Sequence, residues 1–181
     1  MNQRKSMSTK TLAYCSLLTA LSIVLARLVI PMPAADTRFS IEAVPMVIAG
    51  ILFGPGAGAL VGFSADFIGC LFSPFGYNPL FCIPPILYGL FGGLCRPLLS
   101  KGVTPFRLVL TLLPPVVLGS IGYQSIPLSA LYFKGGFWQG YWYYVTTRSI
   151  QFAITLVLDV LVIWLLFQSN IFKRIGRPLN K

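Results

Sequence analysis

The sequence predicts an all-α integral membrane protein of six transmembrane helices with both termini in the cytoplasm. Three observations carry this expectation. Of 181 residues, 56% are hydrophobic and only 10% charged, whereas a soluble domain needs roughly 25% charged residues to cover its surface. Most of this surface must therefore meet lipid. The apolar residues gather in long runs broken by Gly and Pro, and the basic residues collect at alternate ends of those runs.

A spanning helix takes about 20 apolar residues, fewer inside a bundle. Met1 to Lys10 are polar and basic, and the run over residues 11–30 is too long for a signal-peptide core and lacks an A-x-A cleavage site. It is expected to stay as the first span. Pro31 and Pro33 open a polar loop that reaches Ser40, and residues 41–53, with Pro45 inside, form a short second span. Phe53-Gly54-Pro55-Gly56 ends it, because Gly and Pro punctuate helices. Residues 57–72 make the third span, Ser73 to Asn78 a turn, and residues 79–95 the fourth span, kinked by Pro84 and Pro85. The fifth runs over 108–131 with Pro114, Pro115 and Pro127 inside, and the sixth over 141–167. The chain is one membrane domain over 1–181, with no residues left for a second.

Orientation follows from the short loops, since cytoplasmic loops retain Lys and Arg. Arg4, Lys5 and Lys10 precede the first span, Arg96, Lys101 and Arg107 separate the fourth from the fifth, and Lys173, Arg174, Arg177 and Lys181 follow the sixth. Those ten of the 14 basic residues fall on one side of a six-span zigzag. They flank spans singly and form no stripe, so the net charge of +10 does not indicate nucleic acid. Arg27, Arg38, Lys134 and Arg148 break the pattern by mapping to the outer loops or outer span ends. A charge at membrane depth costs about 2.5–3.5 kcal/mol on insertion scales and marks a functional-site hypothesis.

The absence of histidine removes imidazole acid–base chemistry and imidazole metal ligation. Cys15, Cys70, Cys82 and Cys95 sit in apolar runs without C-x-x-C spacing, so neither a disulfide framework nor a metal site is expected.

The candidate site lies in the outer half. Thr155 and Asp159 follow Arg148 at spacings close to two and three helical turns, which places the three on one face directed into the bundle. Arg148 has two readings, an internal ion pair with Glu42 or Asp66 and a contact to an anionic ligand. Asp36, Glu42 and Asp66 could pair nearly all four outer cations, so the count alone does not establish an anion site. Asp66 needs donors, from a basic side chain or from an amidine-like ligand edge. Asn78, at the end of the turn before the fourth span, is grouped with these candidates. Gly58 and Gly62 have the spacing of a helix-packing face, with Gly69 on the same side, and are read as packing residues. From Phe137 to Tyr144 there are six aromatics in eight residues. An interfacial belt explains such a cluster, yet successive residues turn by about 100°, so some rings among Trp138, Trp142 and Tyr143 could face inward and stack on a planar ligand. Ala13, Ser16 and Ala20 form a small-residue face on the first span, for packing within the chain or for docking a partner helix.

The block from Arg38 to Phe72, with Ala-Gly-Ile-Leu-Phe-Gly-Pro at 49–55 followed by Gly62-x-x-x-Asp66, resembles the substrate-binding S components of energy-coupling factor (ECF) transporters, specifically the folate group. The six-span plan, the length, the small-residue face and the basic C-terminal tail agree, so the resemblance covers nearly the whole chain. It implies a non-enzymatic membrane subunit of the prokaryotic plasma membrane that captures a vitamin from outside. The partners implied are a transmembrane coupling protein and two cytoplasmic ATPases, with the loaded S component toppling in the bilayer to release its vitamin. ATP would be used only by those partners, in keeping with the lack of G-x-x-x-x-G-K-[ST] here. The family's Ala-x-x-x-Ala docking motif reads Ser16-x-x-x-Ala20 in this chain.

Folate joins a planar pterin to a glutamate tail with two carboxylates, and the outer residues offer matching groups. The cations Arg148, Arg27, Arg38 and Lys134 suit the tail, Asp66 and Asn78 the pterin edge, and Trp138, Trp142 and Tyr143 its faces. Riboflavin would not call for so many cations, and pantothenate would need a cation but little stacking. Another vitamin remains an alternative, and a stand-alone carrier or membrane-embedded enzyme a more distant one.

Overall fold

Proline and glycine set where each helix starts and stops. A computed structural model describes residues 8–27, 30–31, 38–72, 77–100 and 102–169, with only the backbone at 30–31 and 38–39. Asp36, the Arg38 side chain and the basic residues Arg4, Lys5, Lys101, Lys173, Arg174, Arg177 and Lys181 lie outside this description. The expected all-helical class is what the described residues form, with one exception. β1 (Ile30–Pro31) and β2 (Arg38–Phe39) make a two-residue antiparallel ladder, Ile30 opposite Phe39.

The helices are α1 (Thr9–Arg27), α2 (Ala43–Phe53), α3 (Pro55–Leu71), α4 (Ile83–Leu94, after a 3-10 turn at Pro79–Phe81), α5 (Arg96–Ser100), α6 (Pro105–Pro114), α7 (Gln124–Tyr132) and α8 (Phe137–Gln168). A π-helical stretch, Pro115–Tyr123, joins α6 to α7. Among the described residues, three continuous helices are long and apolar enough to cross a membrane: Thr9–Arg27, Pro105–Tyr132 and Phe137–Gln168. Ala43–Phe53, Pro55–Leu71 and Pro79–Leu94 are shorter and apolar.

Gly54 separates α2 from α3 with φ +104°, a backbone region that favours glycine. Its N–H closes α2 on the Gly50 carbonyl at 2.9 Å, and its own carbonyl accepts the Gly58 N–H at 3.0 Å as α3 begins. Pro55 follows at the first helical position, where its missing N–H has no cost. α2 has no polar side chain, and residues 43–51 are buried all round, as a helix at the centre of a bundle must be. Pro45 falls in its first turn, where proline is tolerated.

α2, α3 and α4 meet backbone to backbone, and a Cβ at Gly50 of α2 would strike the Gly89 carbonyl of α4. A Cβ at Gly58 would strike the Gly89 carbonyl, one at Gly89 the Gly58 carbonyl, and one at Gly62 the carbonyl of Pro85. Packing is thus the role of Gly58 and Gly62, while Gly69 faces open space. Gly89→Ala is expected to destabilise by about 1–3 kcal/mol through overpacking, although alanine is the better helix former by about 1 kcal/mol. Gly69→Ala, which meets open space, should leave the melting temperature in detergent unchanged or slightly raised. Equal melting of the two variants would remove the close contact.

Pro114 and Pro115 have no amide hydrogen for the α ladder. The helix continues by moving to the wider register, so that the Gln124 N–H reaches the Gly119 carbonyl five residues back. Helix directions and cross-contacts place Arg27, Gly69, Asn78, Tyr132 and Phe137 at one end of the bundle, and Lys10, Phe53, Leu94, Pro105 and Gln168 at the other. Leu17, Leu118, Ile150, Val157 and Leu165 cover its exterior.

Candidate functional site

Arg148 projects from α8 toward the π-helical stretch. Its Nε–H donates to the Ser120 carbonyl at 2.7 Å and its Nη2 to Gln124 Oε1 at 2.6 Å. The guanidinium carbon lies 5.0 Å from the centre of the Phe152 ring, a cation–π distance. These hydrogen-bond partners are neutral, and among the described residues Asp66 is not one of them. Nη1 carries no hydrogen-bond partner among the described residues. The π register contributes directly. The Gln124 N–H, which an α ladder would direct to Ser120, goes to Gly119 instead, and the Ser120 carbonyl accepts the arginine. Ser120 also holds α4, because its Oγ lies 3.1 Å from the buried Tyr88 hydroxyl. Thr155 and Asp159 are buried on the same α8 face, as their spacing implied, and Asp159 is 2% exposed with Oδ1 unpartnered among the described residues.

The aromatic cluster divides around α8. Trp138 and Trp142 are 69% and 63% exposed and Tyr143 is also exposed, while Tyr144 turns in at 8%. Phe133 meets Tyr143 and Tyr144 with ring centres 6.0 and 6.4 Å away. It rests on Gly140, where a side chain would collide with its ring. Ser129 Oγ donates to the Phe137 carbonyl at 2.6 Å, tying α7 to the start of α8.

Other candidates lie on the α1, α3 and α4 side. Asp66 is half-buried, with Oδ1 accepting from Cys70 Sγ at 3.9 Å and Oδ2 unpartnered among the described residues. The Phe67 ring beside it meets Tyr77 edge-on at 5.0 Å. Asn78 Oδ1 accepts from the Leu80 N–H at 3.1 Å and caps the 3-10 turn. Arg27 Nη2 donates to the Gly69 carbonyl at 2.9 Å. Lys134 is exposed in the turn between α7 and α8. Arg27, Lys134 and Arg148 therefore share no contact. All four cysteines are free thiols, Cys15 and Cys82 buried.

On α1, Cys15, Thr19 and Ser22 are buried, whereas Ala13, Ser16 and Ala20 are exposed. The small-residue face is thus left open by the described residues, and Ser16 and Ala20 border a groove of about 340 Å³ between α1 and α3.

A family model described as "ECF-type riboflavin transporter, S component" matches residues 6–171. The chain belongs to this family of S components. It is a multi-pass membrane transport subunit and not an enzyme. A crystal structure of FolT bound with folic acid is similar over 94% of this S component and 99% of that chain, at 26% identity and a TM-score of 0.74. A 2.1 Å crystal structure of the S-component for biotin from an ECF-type ABC transporter shares the fold over 95% of this chain and 100% of that one, at 19% identity and a TM-score of 0.62. No curated protein matches the S component.

Sequence reasoning singled out Arg148 but not its partners. Gln124 and Ser120 carry a signal, as polar side chains one turn apart in an apolar run. Tyr88 carries none, because a tyrosine between apolar residues reads as core.

Proposed function

We propose that this S component binds folate in the half of the membrane at the Arg27 end, which faces outward, and delivers it to ATP-driven partner subunits. In this reading six segments span the bilayer, namely α1, α2, α3, the stretch through α4, the continuous helix from α6 to α7, and α8, with both termini cytoplasmic. The partners are a transmembrane coupling protein and two cytoplasmic ATPases, and Ala13, Ser16 and Ala20 form the docking face.

The observation that carries the vitamin assignment is Arg148, whose guanidinium has neutral hydrogen-bond partners and an Nη1 edge without a partner among the described residues. A carboxylate is the natural occupant of that edge, since charge-assisted pairs with arginine are short and strong. Folate has two carboxylates and riboflavin has none. The full-length likeness to FolT bound with folic acid supports the same choice, against the riboflavin description of the family. Tyr144 supplies an inward ring, and the unpartnered Oδ2 of Asp66 suits the amidine edge of a pterin. Trp138 and Trp142 serve as interfacial anchors in this assignment, and Arg27 belongs to the α1–α3 edge.

Parallel titrations of the purified protein with folic acid, riboflavin and pantothenate test this. Folic acid at a hundred times its Kd should stabilise the protein by about 2.7 kcal/mol, raising the melting temperature. A shift with riboflavin and none with folic acid would overturn the folate assignment.

A further inference from the structure

We propose that the groove between α1 and α3 holds one acyl chain of an anionic phospholipid whose phosphate is bound by Arg27. The inference rests on the membrane-spanning reading above and is independent of which vitamin is bound.

The groove is lined by Leu12, Ser16 and Ile23 of α1 facing Leu60, Ser64 and Ile68 of α3. It opens on the apolar exterior, where Leu17, Leu21 and Phe63 are exposed. In a bilayer such a cleft does not stay empty, because wall atoms without neighbours forfeit dispersion contacts. From Leu12 to Ile23 it extends about 16 Å along α1, roughly half of a ~30 Å hydrocarbon core. That is the depth reached by a chain from a single leaflet.

The same α1 stripe continues one turn beyond Ile23 to Arg27. Arg27 is exposed, and its Nη2 is tied to the carbonyl of Gly69, the residue after Ile68. The guanidinium is therefore held at the mouth of the groove on an exposed side chain, with one of its donors committed to Gly69. Its planar fork suits a phosphate, and no groove-lining residue is acidic. A coupling protein docking across Ser16 and Ala20 has to expel this chain, so lipid and partner compete for one surface.

Native mass spectrometry of the full chain in detergent tests the proposal, using phosphatidylglycerol and phosphatidylcholine with identical acyl chains. Wild type should bind one phosphatidylglycerol roughly five-fold more tightly than phosphatidylcholine. Arg27→Gln should abolish that preference, and Ala20→Trp, which fills the groove, should weaken the first adduct of both lipids severalfold. Unchanged first-adduct affinity and unchanged preference in both variants would overturn the site. So would a loss of folic acid affinity in Arg27→Gln with the lipid preference intact, which would place Arg27 with the vitamin. Failure of the folate assignment itself would show in the vitamin titration and leave the lipid result standing.

Discussion

Arg148→Ala should weaken folic acid binding by about thirty-fold to several-thousand-fold, the equivalent of the ~2–5 kcal/mol lost when one member of a buried charged pair is truncated. The substitution leaves a carboxylate facing Ser120 and Gln124, neither of which supplies charge. Pteroate, which has the pterin but no glutamate, removes the other partner. Wild type should therefore distinguish folate from pteroate strongly and Arg148→Ala only weakly, because the second deletion takes away a group already without its partner. The competing role for Arg148 is structural, as a tie from α8 to the π-helical stretch. That role predicts an early melt of Arg148→Ala and equal losses for folate and pteroate. Additivity of the two deletions would remove Arg148 from the vitamin site even if affinity fell.

Ala20→Trp should abolish assembly with the coupling protein and folate uptake by cells while leaving folic acid affinity within a few-fold of wild type. Ala20 is exposed on α1, and the side chains that pack this helix are those of Cys15, Thr19 and Ser22. An indole added at Ala20 lies outside the core and on a surface where helices associate only if side chains stay small. A variant that docks and transports normally would exclude this face as the docking surface. Loss of vitamin binding together with transport would show instead that the groove wall supports the vitamin site.

The helical class was legible because composition and the Gly–Pro breaks each leave a direct mark. Gly58 and Gly62 were legible as packing residues for the same reason, since the spacing itself is the geometry. The π-helical stretch was not. Pro114 and Pro115 announce a disturbed ladder, but a kink and a wider turn satisfy the same missing amides, and the flanking sequence does not choose between them. The aromatic run was half legible: 100° per residue requires that a ring among Tyr141 to Tyr144 turn inward, but not that it be Tyr144, because the phase is set by Phe133 seated on Gly140. The neighbours of Arg148 were hidden by their distance along the chain, 28 residues to Ser120 and 24 to Gln124. Asn78 Oδ1 caps the Leu80 N–H, a use of the side-chain oxygen that the sequence alone does not reveal.

The glycine contacts among α2, α3 and α4 also decide which motions the protein can make. Where carbonyl meets Cα with no side chain between, one helix cannot slide along another without driving backbone atoms together, so shear is closed to these three. Hinging is not. α2, α3 and α4 should travel as a single block, and slow amide exchange at Gly58, Gly62 and Gly89 would report it. Rearrangement on vitamin entry then falls to α1 at one flank and to the helices from α6 to α8 at the other. Of those, the π-helical stretch is the part whose ladder already lies one residue out of the common register.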